Sequence, residues 1–227
     1  MDKFIMSSSP HVRSSETTGR IMRDVLIALL PATVCGVYFF GWNALWVVLV
    51  SVVAAMGAEA LLQVLMKRKV TVLDGSAAVT GLLLALNLPP SVPLWLPVIG
   101  SVFAVAIVKQ CFGGLGYNFI NPALAARAFL MVSWPTLMTT WSAPIHTIGT
   151  VTAVAPVDAL SSATPLALLK AGTPLTHAYL DLALGNVGGC IGETSAIALL
   201  IGGIYLLARR VIDWRIPGVY VATVAAF

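Results

Sequence analysis

The stretch Asp158-Ala-Leu-Ser-Ser-Ala-Thr164-Pro165 gathers one carboxylate and three hydroxyls within eight residues. A hydroxyl becomes a nucleophile when a base lies beside it. No histidine or lysine is near these in sequence, which disfavours catalysis by the stretch alone. Two readings are left. In one, the segment is an Asx or Ser turn, with Asp158 capping a short helix and Pro165 starting another. In the other it is a modification site, because a loop hydroxyl beside the small residues Ser162 and Ala163 is open to a modifying enzyme.

A second stretch is Gly113-Gly-Leu-Gly-Tyr-Asn118-Phe-Ile-Asn121-Pro122-Ala123, with Arg127 one turn further on. Asn121 suits an N-cap and Pro122 the first helical turn. Three glycines, Gly116 among them, let backbone come close to a ligand. The glycine string is not a dinucleotide fingerprint, since no strand precedes it. It reads either as a tight turn leading into a capped helix, or as a site for a flat polar ligand held by two amides and a helix N-terminus.

Carboxylates supply the other candidates. Asp74, in Asp74-Gly-Ser-Ala-Ala-Val-Thr80-Gly81, is placed to cap a short apolar helix that stops at Pro89-Pro90, as in the half-helices that line sites in transport proteins. Glu193, in Gly188-Gly-Cys-Ile-Gly-Glu193-Thr-Ser195, stands at the start of another apolar run and reads equally as a first-turn acid. Glu59 lies inside an apolar run about two turns before Lys67. An intramembrane carboxylate is a functional candidate by default, and pairing with Arg127 or a nearby amide is the alternative. Asp24 and Arg23 read as interfacial. Cys35, Cys111 and Cys190 are scattered and read as small packing residues, and His11, His146 and His177 lack ligand spacing, so no metal site is expected.

The elements that must position these residues follow from composition. Of 227 residues, 59% are hydrophobic and 10% charged, against roughly 45–50% and about 25% in soluble domains. The mean hydropathy is +0.94. A water-facing surface cannot be covered with so few charges, which excludes a soluble globular enzyme and a disordered chain. The class is an all-α polytopic membrane protein. With about 20 apolar residues needed per span and breaks at Gly41-Trp42-Asn43 and Asn87-Leu-Pro-Pro-Ser-Val-Pro93, spans are expected at 24–41, 44–66, 75–88, 94–111, 122–139 and 190–208. A seventh begins near Ile216 and is cut short at Phe227, as in a truncated chain or a helix completed by a partner. No secretory signal is expected in residues 1–20, which are polar and lack an early apolar core.

Placing the N-terminus in the cytoplasm puts 12 of the 13 basic residues inside and only Lys170 outside, as the positive-inside rule requires. The basic residues flank spans, so the net charge of +4 calls for anionic lipid rather than nucleic acid. The six tryptophans fall near span ends, as in an aromatic belt. The organisation is then a cytoplasmic segment 1–23, a five-span bundle 24–140, an extracytoplasmic loop 141–189, and 190–227 with the sixth span and part of the seventh. The loop is far longer than any other, and long loops in compact proteins are usually functional or disordered.

In order along the chain, the strings Ser9-Pro-His11, Ile21-Met-Arg-Asp-Val-Leu-Ile-Ala-Leu-Leu-Pro31, Asp74-Gly-Ser, Asn87-Leu-Pro-Pro90, Gly113 to Ala123, Ser161-Ser-Ala-Thr164 and Gly188 to Ser195 resemble one family. It contains RnfD of the Rnf complex, the ion-translocating ferredoxin:NAD oxidoreductase, and more distantly NqrB of the sodium-pumping NADH:quinone reductase. The resemblance implies FMN joined to Thr164 by a phosphoester, installed by a flavin transferase that recognises Asp158, Ser161 and Ala163. It implies a second, non-covalent flavin (riboflavin) near Gly116, contacted by Asn118 and Asn121. It implies no catalytic residue in the chain itself: the protein positions flavins, electrons move stepwise between them, and flow is coupled to Na⁺ or H⁺, with Glu59, Asp74 and Glu193 as ion-pathway candidates. The fold implied is a pair of inverted repeats, of which this chain carries the first and the start of the second. The implied partners are the NADH-binding and iron–sulfur ferredoxin subunits, the flavin-bearing RnfG and the membrane proteins RnfA and RnfE, in the cell inner membrane. The short segment before the first span favours RnfD over its quinone reductase counterpart. A non-redox channel or transporter fits the half-helix signals but leaves the Asp158–Thr164 pattern a coincidence, and a structural scaffold is the blandest alternative.

Overall fold

The computed structural model describes residues 17–145, 169–170, 172, 179–193 and 195–226. Asp158, Ser161, Ala163 and Thr164 lie outside them, as do Ser162, Pro165, His146 and His177.

The regular elements among the described residues are helical. Helix α1 spans Thr18–Phe40 and α2 spans Trp42–Leu65. Gly41 alone separates them, at φ 70°, a left-handed turn that glycine adopts at little cost. A one-turn 3₁₀ segment, Val72–Asp74, leads into α3, Ser76–Leu86. Helix α4, Trp95–Phe103, runs without a break into a π-helical segment, Ala104–Gln110. Then come α5, Pro122–Ser133, the short α6, Pro135–Thr139, α7, Tyr179–Leu184, α8, Ala196–Ala208, and α9, Arg215–Ala226.

The helices α1 and α2 are long and apolar enough to cross a membrane, with mean hydropathies of 1.6 and 2.2. The other apolar helices are shorter, Trp95–Gln110 among them. Helix α3 is buried on almost every side, the mark of a helix at the centre of its fold. At 11 residues and about 1.5 Å per residue it is about 16 Å long, half of a bilayer core of about 30 Å. Helices α2, α4 and α5 pack around it, and α8 packs on α1.

Small residues let these backbones meet. The Ser51 hydroxyl of α2 donates to the Gly81 carbonyl of α3 at 2.8 Å, and Ser101 of α4 donates back to the Ser51 carbonyl at 3.0 Å. A Cβ on Gly81 would stand 2.8 Å from the Ser51 carbonyl oxygen, so only glycine allows this approach. Such small-residue contacts with polar ties are how helices associate where water is absent. Phe39, Val47, Leu84, Leu88, Leu96, Leu130 and Ile191 fill the core around them.

Three expected boundaries and one expected position need correction. Helix α1 starts at Thr18 rather than 24, so Arg20 and Arg23 ride on it. The expected continuous span 122–139 is broken at Trp134, where the backbone turns to φ −134° and ψ 63° and Pro135 has no N–H to carry the helix on. The sixth helix starts at Ala196, capped by the Ser195 hydroxyl, not at 190. The residues before it run along the end of α3 instead: Ile191 N–H donates to the Leu88 carbonyl at 3.1 Å and Gly192 N–H to that of Leu86 at 2.8 Å. Asp24, expected at the interface, is buried; it accepts from Tyr205 at 3.1 Å and pairs with Arg209 at 3.2 Å, tying α1 to the end of α8.

Candidate functional site

A buried polar cluster, a part-buried one and an exposed loop carry the residues picked out in the sequence. The first cluster is centred on Glu59. Its carboxylate is 1% exposed and lies 2.6 Å from the ammonium of Lys109, itself 2% exposed. The same oxygen, Oε1, accepts from Gln110 at 2.9 Å and from Gln63 at 3.4 Å. Gln63 lies one turn along α2, on the Glu59 face. Its orientation is fixed from the other side, where the Thr71 N–H donates to its carbonyl oxygen at 2.8 Å.

Lys109 also donates to the Ser76 hydroxyl at 2.7 Å. The Ser76 hydroxyl donates onward to Asp74 at 2.6 Å, and the Ser76 N–H donates to the same carboxylate oxygen at 2.8 Å. Asp74 thus ties down the first turn of α3, but the N-cap position belongs to Gly75, in the left-handed conformation; the cap expected at Asp74 sits one residue later. The π segment explains how Lys109 comes inside. Val108, Lys109 and Gln110 are buried in succession, where the wider turn of a π helix brings adjacent residues onto one face. Such turns recur at functional positions. Lys109, expected with the interfacial charges, is therefore a core residue. Of the alternatives for Glu59, pairing with Arg127 is not formed, whereas nearby amides, those of Gln110 and Gln63, do donate to it.

Arg127 anchors the second cluster. It donates to the Asn87 side-chain oxygen at 2.7 Å, to Glu193 at 3.5 Å and to the Cys190 sulfur at 3.7 Å, while the Cys190 thiol donates to the Asn87 carbonyl at 3.4 Å. Three strings far apart in sequence thus meet at one guanidinium. The charge pattern along the chain set Arg127 at the inner surface and Asn87 and Glu193 at the outer one. The three are nonetheless in contact at hydrogen-bond distance: Asn87 follows the end of the short α3, and Arg127 lies midway along α5. Cys190, expected as an apolar packing residue, is buried but hydrogen-bonded within this cluster, and Cys111 is exposed.

The loop after the π segment carries the second string. Gly113, Gly114 and Gly116 all have positive φ, and a Cβ on Gly114 or Gly116 would meet nothing within 4 Å. Tyr117 and Phe119 are 76% and 77% exposed, and Phe119 meets Phe112 edge-to-face at 4.9 Å. The Asn118 amide donates to the Ile120 carbonyl at 3.2 Å. Asn121 is the N-cap of α5, as its spacing predicts, accepting from Ala123 at 3.0 Å and Leu124 at 3.4 Å. Exposed flat rings, open glycine backbone and a partly exposed carboxamide suit a planar heteroaromatic ligand with polar edges. Among the described residues no group of three or more histidine, cysteine or carboxylate side chains could hold a metal.

Sequence reasoning missed Lys109, Gln110, Gln63, Ser76 and Asn87. One signal was present: Gln63 follows Glu59 by four residues in an otherwise apolar run, which puts two polar groups on one helix face. The adjacent Lys109-Gln110 pair gave none, since a charge at the end of an apolar run reads as interfacial.

The profile of the NQR2, RnfD, RnfE family matches residues 5–227. The chain is 54% identical over 226 residues to the D component of the Na(+)-translocating ferredoxin:NAD(+) oxidoreductase complex of Acetobacterium woodii, a match covering 98% of this chain and 68% of that relative. It is 44% identical to the D component of the proton-translocating ferredoxin:NAD(+) oxidoreductase complex of Clostridium ljungdahlii, over 97% of this chain and 67% of the relative. It is 42% identical to the D component of the ion-translocating oxidoreductase complex of Stutzerimonas stutzeri, over 95% and 67%.

Proposed function

The chain belongs to the NQR2, RnfD, RnfE family, and from that membership we propose that it is RnfD, a membrane electron-transfer subunit of an Rnf ion-translocating ferredoxin:NAD oxidoreductase, not catalytic alone. The observation that carries this reading is the 54% identity over nearly the whole chain to a relative with that role in its name. Its partners are the other Rnf proteins: the NADH-binding and iron–sulfur ferredoxin subunits, the flavin-bearing RnfG and the membrane proteins RnfA and RnfE. Its place is the inner membrane, with seven segments arranged as a first inverted repeat and the start of a second, residues 1–23 in the cytoplasm and the 141–189 loop outside.

Within that reading, Thr164 carries FMN through a phosphoester, and Asp158, Ser161 and Ala163 form the pattern a flavin transferase reads. A second flavin is held at the loop of Gly116, Asn118 and Asn121, whose open backbone and exposed rings support it. When bound, the flavins supply the redox chemistry. The chain's own residues hold them: Asn121 fixes the start of α5, the loop glycines leave room for a flat ring, and Asn118 offers an amide edge. Glu59, Asp74 and Glu193 are the carboxylates that serve ion movement. Of these, Glu59 is buried and Asp74 is linked to it through Ser76 and Lys109, whereas Glu193 is half-exposed.

In-gel flavin fluorescence of the denatured chain, made together with its flavin transferase, tests the reading. A fluorescent band that vanishes in Thr164→Ala is expected. A dark wild-type band, from cells in which the transferase loads a control substrate, overturns it and leaves a non-redox transporter to be tested by ion flux.

A further inference from the structure

Glu59 Oε2 is buried and has no hydrogen-bond partner among the described residues, although Oε1 of the same carboxylate accepts from three donors. Buried polar atoms are nearly always paired, and an exception calls for a reason. The charges give one. The charged groups facing Glu59 are Lys109, directly from the π segment, and Asp74, through Ser76 at the head of α3; from α2 itself comes only the neutral Gln63. Among the described contacts, the two carboxylates are linked through a single ammonium. The groups that reach Glu59 are nitrogen donors: Lys109, Gln110 and, at 3.4 Å, Gln63, whose amide nitrogen also donates to the Thr71 hydroxyl at 2.8 Å. Hard metal cations take oxygen ligands, so this setting disfavours Na⁺ and suits a proton.

We propose that Glu59 is a proton-binding site, loaded from the half-buried Asp74 through Ser76 and Lys109. Contacts at hydrogen-bond distance already join the path: Ser76 donates to Asp74 at 2.6 Å, Lys109 donates to Ser76 at 2.7 Å, and Lys109 lies 2.6 Å from Glu59. The Lys109 ammonium first loads Glu59: a Lys109 N–H bond breaks as a Glu59 O–H forms, and the neutral amine turns its lone pair toward Ser76. A proton arriving on Asp74 then refills it: the Asp74 O–H bond breaks as a new Ser76 O–H forms, and the old Ser76 O–H breaks as a Lys109 N–H forms. Asp74 is again a carboxylate, Lys109 is again an ammonium, and Glu59 holds the proton. Rotation of the neutral carboxyl then turns its O–H into the position where Oε2 has no partner, and gives the donors a bare oxygen.

This deepens the ion-pathway part of the proposed function and rests on it. The test is infrared difference spectroscopy of the whole purified complex between alkaline and acidic buffer, which needs no turnover. The carbonyl band of a protonated carboxylic acid is expected, shifted in D₂O, lost in Glu59→Gln and displaced in Glu59→Asp. Labelling wild-type protein with ¹³C-glutamate shifts the same band and covers the case in which Glu59→Gln does not assemble. In Asp74→Asn the band keeps its amplitude after a pH jump but rises about 100-fold more slowly, the scale of a lost proton-transfer group. A spectrum without such a band, a band insensitive to glutamate labelling, or one that survives Glu59→Gln overturns the proposal and leaves the electron-transfer reading standing. A complex that shows the band but carries no flavin overturns that reading instead.

Discussion

The Lys109 ammonium lies 2.6 Å from Glu59 Oε1, with neither side chain more than 2% exposed. Two charges withdrawn from water cost more than their attraction returns unless other hydrogen bonds complete the arrangement. Ser76 completes it for Lys109, and Gln110 and Gln63 for Glu59. Through these contacts the pair joins α2, the π segment and the start of α3, so its geometry depends on the packing of all three.

Removing one partner strands the other. Lys109→Met leaves a buried carboxylate without its counter-charge, and Glu59→Gln leaves a buried ammonium. Each is expected to destabilise the protein by about 3–5 kcal/mol. The double variant strands nothing and is expected to be more stable than Lys109→Met alone. Thermal unfolding of the detergent-solubilised complex, read as a double-mutant cycle, checks this. Strictly additive losses would mean that the two side chains are not coupled.

Gly202 faces Ala28 where α8 crosses α1, so closely that a Cβ there would run into the Ala28 carbonyl. Backbone cannot give way as a flexible side chain does. Gly202→Ala is therefore expected to cost about 1–3 kcal/mol, the range for overpacking. The neighbouring Gly203 has open space around it, and Gly203→Ala is expected to be close to neutral. The melting temperatures of the two variants, compared side by side, test the crossing; equal values would contradict it.

The same contrast shows what was legible in the sequence. Some helix ends were legible, where apolar runs stop at glycine, proline and asparagine for local reasons: Gly41 splits α1 from α2, and Asn121-Pro122 starts α5. Partners across helices were not. A lysine at the end of an apolar run looks the same whether it meets water or, as Lys109 does, a carboxylate brought inward by a π turn. Arg127 looked like one more positive charge at the inner surface, and its contact with Asn87 at the end of α3 has no local signal. The break at Trp134-Pro135 carried a local signal in Pro135, but the hydrophobicity around it masked the signal.

Arg127 holds Cys190 and Asn87 together, and that contact has a chemical readout. In a background where Cys35 and Cys111 are alanine, the buried Cys190 is expected to react slowly with a maleimide. Arg127→Ala removes hydrogen bonds to a charged group, each worth about 1.5–3 kcal/mol. Opening of the 188–195 segment should rise accordingly, and labelling should accelerate by about tenfold or more. Unchanged labelling would show that the backbone pairing of Ile191 and Gly192 with the end of α3 holds the segment without Arg127.

Asn121 has two tasks in the proposed function, and two substitutions separate them. As N-cap of α5 it uses its side-chain oxygen, which an aspartate also offers. As a contact for the second flavin it would use its amide N–H₂, which aspartate lacks. Asn121→Ala is expected to lose about 1 kcal/mol of stability together with the non-covalent flavin. Asn121→Asp is expected to regain the stability, since a carboxylate also suits a helix N-terminus, but not the flavin. The measurement is the flavin released from denatured complex in a Thr164→Ala background, where covalent FMN does not contribute, set beside the melting temperature. If Asn121→Asp restores both, the residue is a cap and nothing more, and the loop holds its ligand through Asn118 and backbone alone.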